Sequence, residues 1–279
     1  MAYKSLFTVL TDDTLVAPVL AHAVEAARAF DAHLDVFCLG VDRSQAGYYY
    51  ASANAVILQE SVSRAQEEAE TIQALVQKQL KNTTIRWGCD IGVVQLADAA
   101  RHIAARARFS DLAFVAKPYG EGKGIELDAV AEACLFDSHI PTLITPDDTN
   151  HTIHASRVII AWNESVEAMN AVRAALPILR EATSVHVVVI DPPVHGPGRS
   201  DPGGMLSQFL ARHGVRVEID VLSRTLPRIG DVLLRHAGDV DADLIVMGAY
   251  GHSRFREAIF GGATRHMLEQ ANLPVLMAH

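Results

Sequence analysis

Ala242-Asp-Leu-Ile-Val-Met-Gly248 reads as a buried strand ending on a glycine, and Ser110-Asp-Leu-Ala-Phe-Val-Ala116 is its near copy 132 residues earlier. Two further pairs share almost the same offset. His139-Ile-Pro-Thr-Leu-Ile144 and Asn272-Leu-Pro-Val-Leu-Met277 lie 133 apart, and Arg101-His102 recurs as Arg235-His236 at 134. Three matches at nearly one spacing indicate one structural unit present twice.

The elements around each copy follow the same order. The first half alternates strand and helix as Leu6 to Leu10, Val16 to Phe30, Leu34 to Leu39, Ala55 to Leu80, Thr84 to Cys89, Val94 to Ala107, Leu112 to Ala116, Leu127 to Phe136 and Pro141 to Thr145. The second runs Val158 to Ala161, Glu167 to Arg180, Val185 to Ile190, a loop with a short helix, Val215 to Leu222, Ile229 to Ala237, Leu244 to Met247, Ala263 to Gln270 and Pro274 to Met277. The strands are unbroken Val/Ile/Leu runs, which suit parallel strands covered on both faces. The expected fold class is therefore α/β, two tandem doubly wound parallel-sheet domains of Rossmann-like type, over residues 1–147 and 154–279. Pro146-Asp-Asp-Thr-Asn-His151 reads as a tight linker, and Pro192 to Gly204, rich in Pro and Gly, as a surface loop beside the second ligand side.

Composition narrows the classes. A chain of 279 residues with 49% hydrophobic and 20% charged residues is globular, not disordered or fibrous. Its net charge of −9 argues against nucleic acid or an anionic membrane as partner. No apolar run approaches the roughly 18 to 20 residues that span a bilayer, and the start MAYKSLFTVLTDDT does not read as a signal peptide. A cytoplasmic location is the expectation. Cys38, Cys89 and Cys134 are widely spaced and contain no CxxC, so reduced, mostly buried thiols are expected.

Gly248 opens a glycine-framed loop that re-enters a helix. From it the spacing is two residues to Gly251, nine to Gly261, then Gly262-Ala263-Thr264. Backbone amides at a helix start bind anions, so Gly261 to Thr264 are candidates to cradle a phosphate, with the Thr264 hydroxyl and Arg254 or Arg256 in support. There is no GxxxxGK[ST], GxSxG or HExxH motif, and no catalytic residue is expected. His252 and His266 flank the loop as surface or phosphate-adjacent residues. Their separation of fourteen lacks metal-ligand spacing, so no metal site is expected. Trp87 and Trp162 read as packing residues, and Glu60, Glu67, Glu68 and Glu70 as the solvated face of a long helix.

This G-x2-G-x9-G pattern, placed between Ala242-Asp-Leu-Ile-Val-Met-Gly248 and Leu273-Pro-Val-Leu-Met277, resembles the ATP-binding signature of the universal stress protein family. The two-copy chain resembles the tandem universal stress proteins of bacteria, which implies an adenine nucleotide alpha hydrolase-like fold. The resemblance implies ATP or ADP, with Mg²⁺, on Gly248, Gly251, His252, Arg254, Gly261, Gly262, Ala263 and Thr264. It also implies that Ala161, Trp162, Asn163, Ile190 and Asp191 border the adenosine. Two positions depart from the family pattern: Gly262 replaces a Ser or Thr, and Asn163 replaces an Asp. In the first copy Ala116 stands where Gly248 would be, and Asp12-Asp13 add negative charge, so that copy is expected to be structural. Single-unit relatives pair through their last strands, which implies an intramolecular pseudo-dimer and a homodimer. Three functions stay open: a nucleotide-responsive stress or regulatory protein, a slow ATPase, and an interaction scaffold that binds no nucleotide.

Overall fold

The computed structural model describes residues 2–44, 54–147, 156–192, 201–249 and 262–279. They form two compact units, Tyr3–Ile140 and Pro141–His279.

The first unit follows the order β1 (Ser5–Leu10), α1 (Val16–Phe30), β2 (His33–Asp42), α2 (Asn54–Leu80), β3 (Arg86–Gln95), α3 (Leu96–Ala107), β4 (Leu112–Ala116) and α4 (Glu126–Glu132). All four strands are parallel in the order β3-β2-β1-β4. Helix α1 buries Val19, Leu20, Ala23, Ala26 and Ala27, the helical-period positions of its apolar stripe. It stops at Asp31, whose left-handed backbone (φ 48°) lets its N–H cap the carbonyls of Ala27 and Arg28.

Helices cover both faces of this sheet. A Cβ at Gly40 would fall 1.9 Å from the Ala65 carbonyl oxygen, so α2 rests directly on β2 there. On the opposite face the Arg106 guanidinium of α3 lies 4.1 Å from the Phe37 ring centroid, a cation–π contact.

The second unit contains β5 (Thr142–Thr145), β6 (Arg157–Ala161), α5 (Val166–Glu181), β7 (Ser184–Ile190), α6 (Gly204–Arg212), β8 (Val217–Leu222), α7 (Ile229–Asp239), β9 (Leu244–Gly248), α8 (Ala263–Gln270) and β10 (Val275–Ala278). Its strand order is β5-β10-β9-β6-β7-β8, parallel apart from β5, which pairs antiparallel with β10. Leu244 to Met247 are at most 5% exposed, and each such side chain contributes about 1.5–3 kcal/mol of burial. Gly203, ahead of α6, sits over Val187, Val189 and Ile219, while α7 reaches the other face through His236 and Asp220. The unit is a three-layer α/β/α arrangement.

Most elements lie where the apolar pattern places them; β3 differs. It runs on to Gln95 and pairs over ten positions with β2, whereas the sequence pattern ends the strand at Cys89 and starts a helix at Val94. Gly92 explains the extension. A Cβ there would lie 2.8 Å from the Phe37 ring, so this glycine admits an aromatic side chain rather than ending a strand. The cysteines are free thiols, with Cys38 and Cys134 buried and the Cys38 and Cys89 sulfurs 3.5 Å apart. Burial pushes the Cys134 thiol up to about 12.

Candidate functional site

Strand β6 lies between β9 and β7, and the register sets Ala161 beside Met247 on one side and Val188 on the other. Trp162 and Asn163 therefore leave the sheet between the ends of β9, at Gly248, and β7, at Ile190 and Asp191. The chain winds in opposite senses on the two sides of β6, which makes this the topological switch point, where open α/β sheets hold ligands.

Local chemistry shapes the rim. The Asn163 Oδ1 accepts the Ser165 N–H at 3.2 Å, and the Ser165 hydroxyl oxygen accepts the Ala168 N–H at 3.1 Å, so the loop caps α5 at once. Asp191, in a left-handed conformation (φ 46°), accepts the Arg224 N–H on Oδ1 at 3.0 Å and joins the end of β7 to the loop after β8. Asn163 and Asp191 thus each have one side-chain oxygen engaged in shaping the rim.

Gly248 has a packing duty of its own. A Cβ at this position would lie 2.5 Å from the Ala168 nitrogen and 2.8 Å from the Glu167 carbonyl carbon, so the glycine lets the N-terminus of α5 close on β9. Sequence spacing alone assigns it to a ligand.

Helix α8 supplies the anion-directed end. It starts after Gly262, has no side-chain cap on its first turn, and has no acidic residue in that turn. It returns from β9 to the parallel strand β10, so its N-terminus faces the carboxyl ends of the strands. A helix start and its positive dipole end favour an anion there. Thr264, 3% exposed, is buried rather than open on the rim. His266 is likewise buried, at 6% exposure, which sets aside the surface alternative and leaves a position beside the start of α8. Its Nε2 lies 2.6 Å from Asp231 Oδ1 and its Nδ1 3.2 Å from Arg228 Nη1, which ties α8 to α7. Gly230 makes room for that ring, since a Cβ there would meet His266 Cδ2 at 2.4 Å. Of the expected site residues, Gly251, His252, Arg254 and Gly261 lie outside the described residues.

Residues 155–279 match the universal stress protein family. Within this matched region lie β6 to β10 and every expected site residue. A universal stress protein of Synechocystis is 27% identical over 138 residues, 49% of this chain and 46% of its own, so the match spans about half that relative's length. Among solved structures, a universal stress protein from Archaeoglobus fulgidus is similar in fold, with a TM-score of 0.70 and 16% identity over 98% of this chain and 95% of its own. A functionally unknown protein from Pseudomonas aeruginosa is similar too, with a TM-score of 0.61 and 13% identity over 99% of this chain and 92% of its own. Both likenesses bear on the fold across nearly the whole chain.

The first unit presents a different surface at the corresponding strand ends. Its crevice, about 500 Å³, is lined by Thr11, Asp12, Asp13, Arg43 and the α2 residues Arg64, Glu67 and Glu68. Arg43 Nη2 donates to Glu126 Oε1 at 2.6 Å, and its Nη1 donates to Glu68 Oε2 at 3.0 Å. The hydrogen bond to Glu126 holds the guanidinium above its ordinary pKa. The Glu126 side chain is 2% exposed and sits in the first turn of α4, so the unit supplies its own carboxylate at that helix start. Glu68, assigned by pattern to a solvated helix face, instead turns to Arg43. The second unit has no such acid in the first turn of α8.

Proposed function

We propose that the chain is a two-copy universal stress protein whose second copy binds an adenine nucleotide, ATP or ADP with Mg²⁺, and acts as a nucleotide-responsive stress or regulatory protein. The observation that carries this reading is the acid-free first turn of α8, which starts at a glycine and faces the strand ends at β6 and β9. Gly261, Gly262, Ala263 and Thr264 would supply backbone amides to the phosphates, with Gly251, His252 and Arg254 from the preceding loop. Ala161, Trp162, Asn163, Ile190 and Asp191 would border the adenosine. Gly248 would act indirectly, by letting α5 approach. Phosphate-bound Mg²⁺ would find a protein oxygen at Asp191 Oδ2, with the second lone pair of Asn163 Oδ1 beside it.

The output would be a population shift rather than chemistry: a nucleotide that binds one loop arrangement better enriches it and changes the surface shown to partners. A phosphoryl-transfer reading would need a positioned base, and the sequence holds no motif that supplies one. In the first copy, carboxylates outnumber arginines around the crevice, which supports a structural role there. The repeat offset and the full-length structural likeness support the two-copy reading, and the β5–β10 pairing supports association of the two repeats' last strands within one chain.

Isothermal titration with ATP and Mg²⁺ tests the assignment. The wild-type chain is expected to bind one nucleotide, and Gly261→Val to abolish binding while circular dichroism stays unchanged, because a β-branched side chain would fill the phosphate cradle. Equal affinity in the two proteins would remove the site from this loop.

A further inference from the structure

The second unit gathers a group of side chains that nucleotide binding does not use. In β7 and β8 the register places His186 opposite Glu218 and Val188 opposite Asp220, so His186 and Asp220 are diagonal neighbours on one face of the sheet. Helix α7 packs on that face and adds His236. His186 Nδ1 lies 2.9 Å and His236 Nε2 2.8 Å from the same oxygen, Asp220 Oδ2. The two rings meet edgewise at 76°, with centroids 6.5 Å apart, so their nitrogens converge on that oxygen from different directions. The side chains are 13%, 24% and 14% exposed for His186, Asp220 and His236, sheltered but open enough for a solvent ligand.

We propose that His186, Asp220 and His236 form a binding site for a divalent transition-metal ion of the Zn²⁺ class, with water completing the coordination. The three ligand atoms lie within 4.8 Å of one another. Around a tetrahedral ion with bonds of about 2.0–2.1 Å, ligand atoms are about 3.3 Å apart, so the two short edges need open by only about half an ångström. Two imidazoles and one carboxylate suit Zn²⁺ and its neighbours, and the absence of thiolate disfavours Cu⁺. Entry of the ion leaves the carboxylate ionised and moves each neutral imidazole's proton to its other ring nitrogen; any imidazolium present releases one proton.

The first unit holds a natural contrast. The strand registers and the Arg-His repeat make Asp35, Asp90 and His102 the counterparts of His186, Asp220 and His236. All three are exposed, and among the described residues only the second unit assembles such a group. The site is separate from the proposed nucleotide site. His186 precedes Ile190, at the end of β7, by four strand residues, or about 13 Å. An ion here would brace the edge strand β8 and α7 against β7.

The test uses the full chain, stripped of metal and titrated with Zn²⁺ against a chromophoric chelator, with Co²⁺ absorption as a second readout. The expected result is one tight Zn²⁺ per chain and visible Co²⁺ bands of a low-symmetry site that Zn²⁺ removes. Asp220→Asn and His236→Gln should each weaken Zn²⁺ on the order of 100-fold. His33→Gln, at an exposed histidine of the first unit, should change neither readout. Weak or superstoichiometric binding that is the same in all four proteins would overturn the proposal. So would loss of binding only in variants whose circular dichroism shows unfolding, with the folded variant unaffected.

Discussion

The two units share strand order and register, yet they treat the same place in the fold in opposite ways. At the carboxyl ends of β1 and β2, Arg43 joins Glu68 on α2 to Glu126 at the start of α4, and the positive helix end is met by a carboxylate of the chain itself. At the ends of β6 and β9, α8 begins at Gly262 and carries no acid in its first turn. The helices over the crevices differ as well: α2 has 27 residues and α6 has 9. The longer helix carries Arg64, Glu67 and Glu68 to the rim of the first unit's crevice. Duplication of a fold duplicates the dipole geometry, and a few charged side chains decide whether that geometry is satisfied internally or left for an anion.

The largest expected effect comes from giving the second copy the first copy's chemistry. Gly262→Asp places a carboxylate at the N-cap of α8, where the extended backbone (φ −56°, ψ 163°) suits a capping side chain. Helix stability should hold or rise by a few tenths of a kcal/mol. ATP affinity should fall on the order of 100-fold through repulsion of the phosphates. Titration calorimetry alongside thermal melts separates the two; parallel loss of stability and affinity would mean that the contrast is not electrostatic.

A smaller effect is expected in the first copy. Arg43→Met keeps an apolar stem but leaves Glu126 buried without its cation, and should cost about 2–3 kcal/mol in urea unfolding. ATP affinity should stay within about twofold of the wild type, well inside one tenfold step of 1.4 kcal/mol. Loss of nucleotide binding in this variant would put the ligand in the wrong copy.

Gly248→Ala asks whether that glycine serves packing or ligand. Its methyl would press on the α5 backbone at Ala168, for an expected cost of about 1–2 kcal/mol. Affinity should fall less than in Gly261→Val. The opposite ranking would return Gly248 to direct contact with the nucleotide.

How much of this was legible in the sequence depended on distance along the chain. Apolar runs at a fixed period and a repeat near 132 residues revealed element order and the parallel sheets, because burial on both faces leaves a continuous signature. Gly92 admits Phe37 and Gly248 admits α5, packing duties that spacing does not show. The burial of His266 is not legible locally, since the space that receives it comes from Gly230, thirty-six positions earlier. The Arg43–Glu126 pair joins residues 83 apart, and His186 meets His236 only after β8 and α7 are in place. Such contacts belong to tertiary structure, and no local spacing announces them.

Native mass spectrometry of the chain with ATP and Mg²⁺, for the wild type and Gly262→Asp side by side, tests the central claim most directly. One adenine nucleotide per chain on the wild type, and none on the variant at the same concentration, is the predicted result. Two nucleotides per wild-type chain, none, or one retained equally by the variant would contradict the assignment of the ligand to the start of α8.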